Sequence, residues 1–95
     1  MTLAEIADKI RGNVAASTFS DSVKFDCGGD GVLVIADKQV SLEDQPTDCT
    51  LKLSTKNLAK LVSGNLNPMT AVVMGKLKVS GDPGVAMKLA GLLKG

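Results

Sequence analysis

Two cysteines are the most reactive side chains in this 95-residue chain. A thiol attacks only as the thiolate, and the chain has no His that could act as the base generating it. Cys27 and Cys49 lie at inward positions of strand-like alternations, which predicts small, buried hydrophobic side chains. Two such thiols without a C-x-x-C motif or an apolar signal segment favour a reducing compartment, and we expect a cytoplasmic protein.

Two glycine-rich segments have the composition of a phosphate-binding loop without its surroundings. Residues 28–31 (Gly-Gly-Asp-Gly) precede a strand-like run, whereas a P-loop continues with Lys and Ser or Thr into a helix. Residues 81–84 (Gly-Asp-Pro-Gly) begin a helix whose free amide groups we expect Asp82 to cap. We therefore predict a tight turn and a helix cap rather than anion sites.

Acidic and aromatic residues exclude further classes of function. Glu43, Asp44 and Asp48 share one loop, but their spacing does not match the array of oxygen ligands that calcium needs. Without His, the chain has neither an imidazole metal site nor His-based acid–base catalysis. Phe19 and Phe25 are the only aromatic residues, too few to stack the bases of a nucleic acid. We predict no metal, no cofactor, no catalysis and no nucleic-acid partner.

Charge is distributed unevenly along the sequence. Residues 1–48 carry nine acidic and four basic side chains, whereas residues 49–95 carry seven Lys and the single acid Asp82. Such a basic half is suited to contact with anionic lipid headgroups, each Lys near the surface contributing about 1 kcal/mol. The alternative is that the fold interleaves the two halves, so that the charges only solvate the surface.

Hydrophobic periodicity predicts one α+β domain over residues 1–95. A capping box formed by Thr2 and Glu5 begins a first helix, which Gly12 and Asn13 are expected to fray or break. Strands grouped before helices favour a mainly antiparallel sheet, beginning with a three-stranded meander in which Val40 and Leu42 point inward. The predicted strands are residues 22–27, 32–36, 39–43, 49–54 and 76–80. Further helices are predicted to begin with a cap at Ser54 or Thr55, at Asn67 and at Asp82.

Several of these segments together resemble the sterol carrier protein 2 family. The similarity rests on Asn67-Pro68, on residues 75–81 (Gly-Lys-Leu-Lys-Val-Ser-Gly) and on residues 84–89 (Gly-Val-Ala-Met-Lys-Leu), preceded by Asp48-Cys49-Thr50-Leu51 and by the segment 58–64. It is specific over residues 47–93 and only topological over residues 1–46. The resemblance implies a five-stranded, mainly antiparallel sheet covered on one face by helices and enclosing an apolar tunnel.

The resemblance also implies a function, namely non-catalytic binding and transfer of a sterol, fatty acid, acyl-CoA or phospholipid. The side chains it places around the tunnel are apolar: Phe25, Val34, Leu58, Leu61, Val62, Met69, Val72, Val73, Met74, Leu77, Val85, Met87 and Leu89. Candidates for contact with a headgroup or an anionic membrane are Lys56, Lys60, Lys76, Lys78 and Lys88. The alternative is an accessory protein–protein interaction module, in which these apolar residues form a filled core.

The ends of the chain differ from the family pattern. The region before Ser22 is shorter than in many relatives, and the sequence stops soon after Leu93, where relatives often continue into a segment that covers the tunnel. An uncovered apolar groove is often covered by a partner. We therefore expect a homodimer through the C-terminal helix, with contacts around Val85, Leu89 and Leu92.

Overall fold

A computed structural model describes the backbone of residues 2–93 and the side chains of residues 2–89. The helices are α1 (Leu3–Ala16), α2 (Thr55–Val62), α3 (Pro68–Val73) and α4 (Pro83–Leu93), and a short 3-10 turn covers Gly28–Asp30. The strands are β1 (Val23–Asp26), β2 (Val32–Ala36), β3 (Gln39–Ser41), β4 (Cys49–Lys52) and β5 (Lys78–Gly81).

Local signals in the sequence set the helix ends. Thr2 and Glu5 form the predicted capping box, in which each side chain accepts from the other residue's backbone amide. Ser54 and Asn67 cap α2 and α3, and the Asp82 carboxylate accepts from the Gly84 amide at 2.8 Å. The expected break at Gly12 is wrong, because Ile10 and Val14 continue the buried stripe and hold α1 on the sheet through Ala16.

The five strands form one mixed sheet in the order β3-β2-β1-β4-β5. The first three strands are the predicted antiparallel meander, and β4 and β5 are also antiparallel. β1 and β4 are parallel, a pairing that sequence periodicity did not predict. β3 ends at Ser41, so Leu42 is exposed rather than inward as expected, and the chain leaves the edge of the sheet to reach β4.

All buried helix faces lie on one side of this sheet. Strand alternation places Val23, Phe25, Leu33 and Ile35 on that side, where they form a continuous core with the buried side chains of the helices. α1 packs on β2 and β3, whereas α4 packs on β4 and β5. The helical layer therefore differs between the two halves of the sheet.

Candidate functional site

An apolar cavity of about 290 Å³ lies between the β1-β4-β5 half of the sheet and the later helices. None of the described residues around it contributes a polar side chain. The twelve lining residues are Phe25, Leu51, Leu61, Pro68, Met69, Val72, Leu77, Val79, Pro83, Ala86, Met87 and Leu89. The cavity is partly open to solvent, and Met69 and Met87 are both wall residues and largely exposed.

The cavity lies beside α3, a short helix that buries only one small side chain against the rest of the protein. Ala71 is its buried residue, and the Ala71 carbonyl accepts from the amides of Lys76 and Leu77 at 2.8 and 3.2 Å. A six-residue helix with a small inner side chain leaves the sheet beneath it incompletely covered. Val79 in β5 remains partly exposed beside this space.

The structure brings seven of the thirteen predicted tunnel residues together around this cavity. They come from the sheet, from the loop before β5 and from three helices: Phe25, Leu61, Met69, Val72, Leu77, Met87 and Leu89. Leu77 and Val79 both face the helical side, as the alternation in this segment predicts.

Six predicted residues do not line the cavity. Val34 pairs with Lys24, so strand alternation places it on the opposite face of the sheet. Leu58 and Val85 are buried in the core, against which Val62 also packs. Two residues extend outward at the end of α3: Val73 and Met74.

The expected dimer contacts also require revision. The side chains of Val85 and Leu89 are buried within this chain and are not available to a partner. Leu92, the third expected contact, lies outside the described side chains. Dimerisation through α4 therefore stays a prediction without support from Val85 or Leu89.

Five cavity residues were not among the sequence-based candidates. Leu51 is adjacent to Phe25 in β1 and to Val79 in β5, so these three side chains form a row across the sheet. The strand order, unknown from sequence, creates that row. Pro68 and Pro83 are the first residues of α3 and α4, and Ala86 follows on α4.

The lysines proposed to contact headgroups occupy different surfaces. Lys56 and Lys60 border a separate, shallow polar depression beside Asp30 and α2. Lys88 donates to the Asp21 carboxylate at 3.0 Å. Lys78 alternates with Val79 and so lies on the outer face of the sheet.

Four of these five lysines are adjacent in sequence to a wall residue: Lys60, Lys76, Lys78 and Lys88. Among them, Lys76 follows α3. It is exposed and directly precedes Leu77, a wall residue. Of the four, Lys76 is also the nearest in sequence to the exposed end of α3 at Val73 and Met74.

Burial disfavours the thiolate form of both cysteines. Desolvation on burial raises the pKa of Cys27, opposed in part by a hydrogen bond with Thr55 and reinforced by the nearby Asp30 carboxylate. Desolvation likewise raises the pKa of Cys49, with Asp82 and Asp48 adding to the effect. Neither thiol is among the residues lining the cavity.

Residues 2–93 contain no group of three or more potential metal-binding side chains placed to share an ion. Within the same range, no helix has the length and apolar character needed to cross a bilayer.

Solved structures share this architecture. A sterol carrier protein 2 from Aedes aegypti, determined by NMR in complex with palmitate, superposes with a TM-score of 0.79, covering 98% of this chain and 94% of that chain at 18% identity. At this identity the likeness shows the fold.

Curated proteins match by sequence. Sterol carrier protein 2 of Gallus gallus is 47% identical over 49 residues, which are 52% of this chain and 9% of that protein. Peroxisomal multifunctional enzyme A of Dictyostelium discoideum is 31% identical over 97 residues, covering 97% of this chain and 21% of that protein. This chain therefore spans only a small part of the length of either relative.

The family model described as the SCP-2 sterol transfer family matches residues 3–94. The match extends the similarity from the later segments seen in the sequence to the whole described structure. With the fold and the apolar cavity, it confirms the resemblance found in the sequence. The chain belongs to the SCP-2 sterol transfer family.

Proposed function

We propose that residues 1–95 act as one unit that holds the hydrocarbon part of a single lipid in the cavity and releases it unchanged. The observation that carries this proposal is the cavity wall, which consists of twelve apolar side chains. Such a wall offers no nucleophile, acid or base to a guest. It favours a guest through burial of apolar surface alone, at about 0.8 kcal/mol per methylene group.

The same wall determines the orientation of the guest. A hydroxyl or carboxylate placed deep inside would lose its hydration without gaining a side-chain partner, at a cost of several kcal/mol. The lipid therefore enters tail first and keeps its polar group at the opening. This arrangement selects for the size of the tail and tolerates different headgroups.

The empty cavity is costly to the protein. At about 24 cal/mol per Å³, a void of about 290 Å³ amounts to roughly 7 kcal/mol if it stays dry and rigid. Whole domains are stable by only about 5–15 kcal/mol. Because Met69 and Met87 are flexible, the wall can close partly in the absence of a guest, and a bound lipid stabilises the open form.

We propose a single acyl chain as the preferred guest, since the Aedes aegypti protein with this fold is solved with palmitate. A sterol, an acyl-CoA and a phospholipid are the competing guests within the same proposal. Two free, buried thiols support a reducing, cytoplasmic location. An anionic membrane surface is the proposed source and destination of the lipid.

The test is uptake of a fluorescent fatty acid from solution by the purified chain. Ala86→Trp places a large ring in the cavity and should abolish uptake, while Leu42→Trp adds the same ring at an exposed site outside the cavity and should not. Native mass spectrometry of the protein as expressed reports any lipid already bound. Failure of the wild-type chain to bind, with no copurified lipid, would instead support the protein–protein interaction module.

A further inference from the structure

The end of α3 presents two exposed apolar side chains that the cavity does not explain. Val73 is 85% exposed and Met74 58% exposed, and neither lines the cavity. Met69 and Met87, which do line it, are 62% and 68% exposed. We name these four residues the α3 patch. Val73 lies one helical turn after Met69 on α3, so the exposed end of the helix adjoins the cavity wall.

The charged side chains nearest α3 in sequence are all basic. No acidic residue occurs between Asp48 and Asp82, a stretch whose five charged side chains are all Lys. Lys76 lies two residues after Met74 and is exposed. An apolar projection followed by a cation matches the surface of an anionic bilayer, where headgroups attract the Lys and the acyl region accepts the apolar side chains.

We propose that the α3 patch docks on an anionic lipid surface, with Val73 and Met74 inserted below the headgroups and Lys76 at headgroup level. This surface deepens the proposed function and rests on it, since docking there brings the cavity wall formed by Met69 and Met87 to the bilayer. A lipid tail then passes between membrane and cavity without crossing open water.

A second copy of this chain is a poorer occupant of the α3 patch. In a symmetric dimer the Lys76 side chains of both copies would approach the same interface, and the segment from Cys49 to Gly81 offers no carboxylate to pair with them. The Asp21 carboxylate near Met87 is already paired with Lys88. An anionic bilayer supplies the missing negative charge.

Insertion is measured with a tryptophan reporter. The chain contains no Trp or Tyr, so Val73→Trp gives emission from one site only. With vesicles of phosphatidylcholine and phosphatidylserine, its emission should shift to shorter wavelength, and the shift should be smaller with phosphatidylcholine alone. Leu42→Trp, at an exposed apolar position outside the patch, should show no shift. Equal shifts at both positions, or none at position 73, would overturn the proposal.

Vesicle flotation tests the contribution of each part. Val73→Asp combined with Met74→Asp should lower binding to anionic vesicles at least tenfold, whereas Leu42→Asp should leave it unchanged. Lys76→Gln should lower it about fivefold, corresponding to one basic residue near the surface, and only with anionic lipid. If the double variant binds anionic vesicles as strongly as the wild-type protein does, the proposal is overturned.

Uptake of fatty acid from solution separates this proposal from the proposed function. The double variant should retain uptake, because neither Val73 nor Met74 lines the cavity. If the wild-type chain takes up fatty acid normally but does not bind vesicles, the docking proposal is wrong and the cavity proposal stands. If the wild-type chain binds vesicles through the α3 patch but takes up no fatty acid, the docking proposal stands and the cavity proposal is wrong.

Discussion

Gly81 and Asp48 approach each other so closely that a side chain at position 81 would meet the backbone of position 48. A Cβ added to Gly81 would lie 2.5 Å from the Asp48 carbonyl oxygen. That oxygen also accepts from the Asp82 amide at 3.0 Å. The contact joins the start of β4 to the start of α4, and so fixes the helix that forms one wall of the cavity.

Gly81→Ala should destabilise the protein by more than the loss of a favourable glycine conformation alone. Both Gly81 and Gly75 have a positive φ, of 91° and 74°. A Cβ added at Gly75 would meet no other atom, so Gly75→Ala measures the conformational cost alone, about 1–2 kcal/mol. The clash with Asp48 should add roughly 1–3 kcal/mol at position 81. Urea unfolding of both variants measures the difference. Equal losses of unfolding free energy would show that the backbone near Asp48 shifts to accommodate the added methyl group without an energetic penalty.

Leu58 and Leu61 provide a matched pair on α2, because both are buried but only Leu61 lines the cavity. Each change to Ala should lower the free energy of unfolding by about 2–5 kcal/mol. Leu58→Ala should leave the affinity of the folded protein for a fatty acid unchanged. Leu61→Ala enlarges the cavity and should shift preference to longer or bulkier tails. Calorimetric titration with a guest series checks this, and a shift caused by Leu58→Ala would contradict the placement of the wall.

Tail length should control affinity more strongly than headgroup does. Each added methylene that enters the cavity should tighten binding about fourfold, from its transfer free energy of roughly 0.8 kcal/mol, until the cavity is full. A fatty acid and its alcohol of equal length should then bind similarly, because the wall lacks a polar side chain. Displacement of a fluorescent guest measures both series. Strong discrimination between acid and alcohol would place the polar group inside the protein.

The structural features that were predicted correctly from the sequence depend on residues that are close together along the chain. Thr2, Ser54, Asn67 and Asp82 cap their helices as expected, since a cap bonds to amides only two or three residues away. The antiparallel meander likewise follows from short turns. Leu42 was misplaced because alternation continues in the sequence after the strand has ended at Ser41.

The cavity was only partly predictable because its wall is assembled from distant segments. The parallel pairing of β1 with β4 places Leu51 between Phe25 and Val79. No pattern of neighbouring residues in the sequence predicts that pairing. Apolar periodicity alone does not distinguish Leu58, which fills the core, from Leu61, which faces the cavity. That distinction requires the position of α3 and α4 over the sheet.

The two buried thiols should make the protein less stable in alkaline solution. Burial raises the pKa of Cys27 and of Cys49 in the folded state above that of the unfolded chain, which is about 8.5. The folded protein then holds more protons than the unfolded chain at alkaline pH. The stabilisation is therefore complete below about pH 8.5 and is lost as the pH rises through the folded-state pKa values.

Urea unfolding between pH 7 and pH 10 should consequently show a decline that begins near the unfolded thiol pKa. The chain has no Tyr or His, so apart from the terminal amine and Lys only the two Cys titrate in this range. The variant with Cys27→Ala and Cys49→Ala keeps every other titrating group and should show a shallower decline. Equal declines in the two proteins would mean that Lys residues, not the thiols, set the alkaline limit.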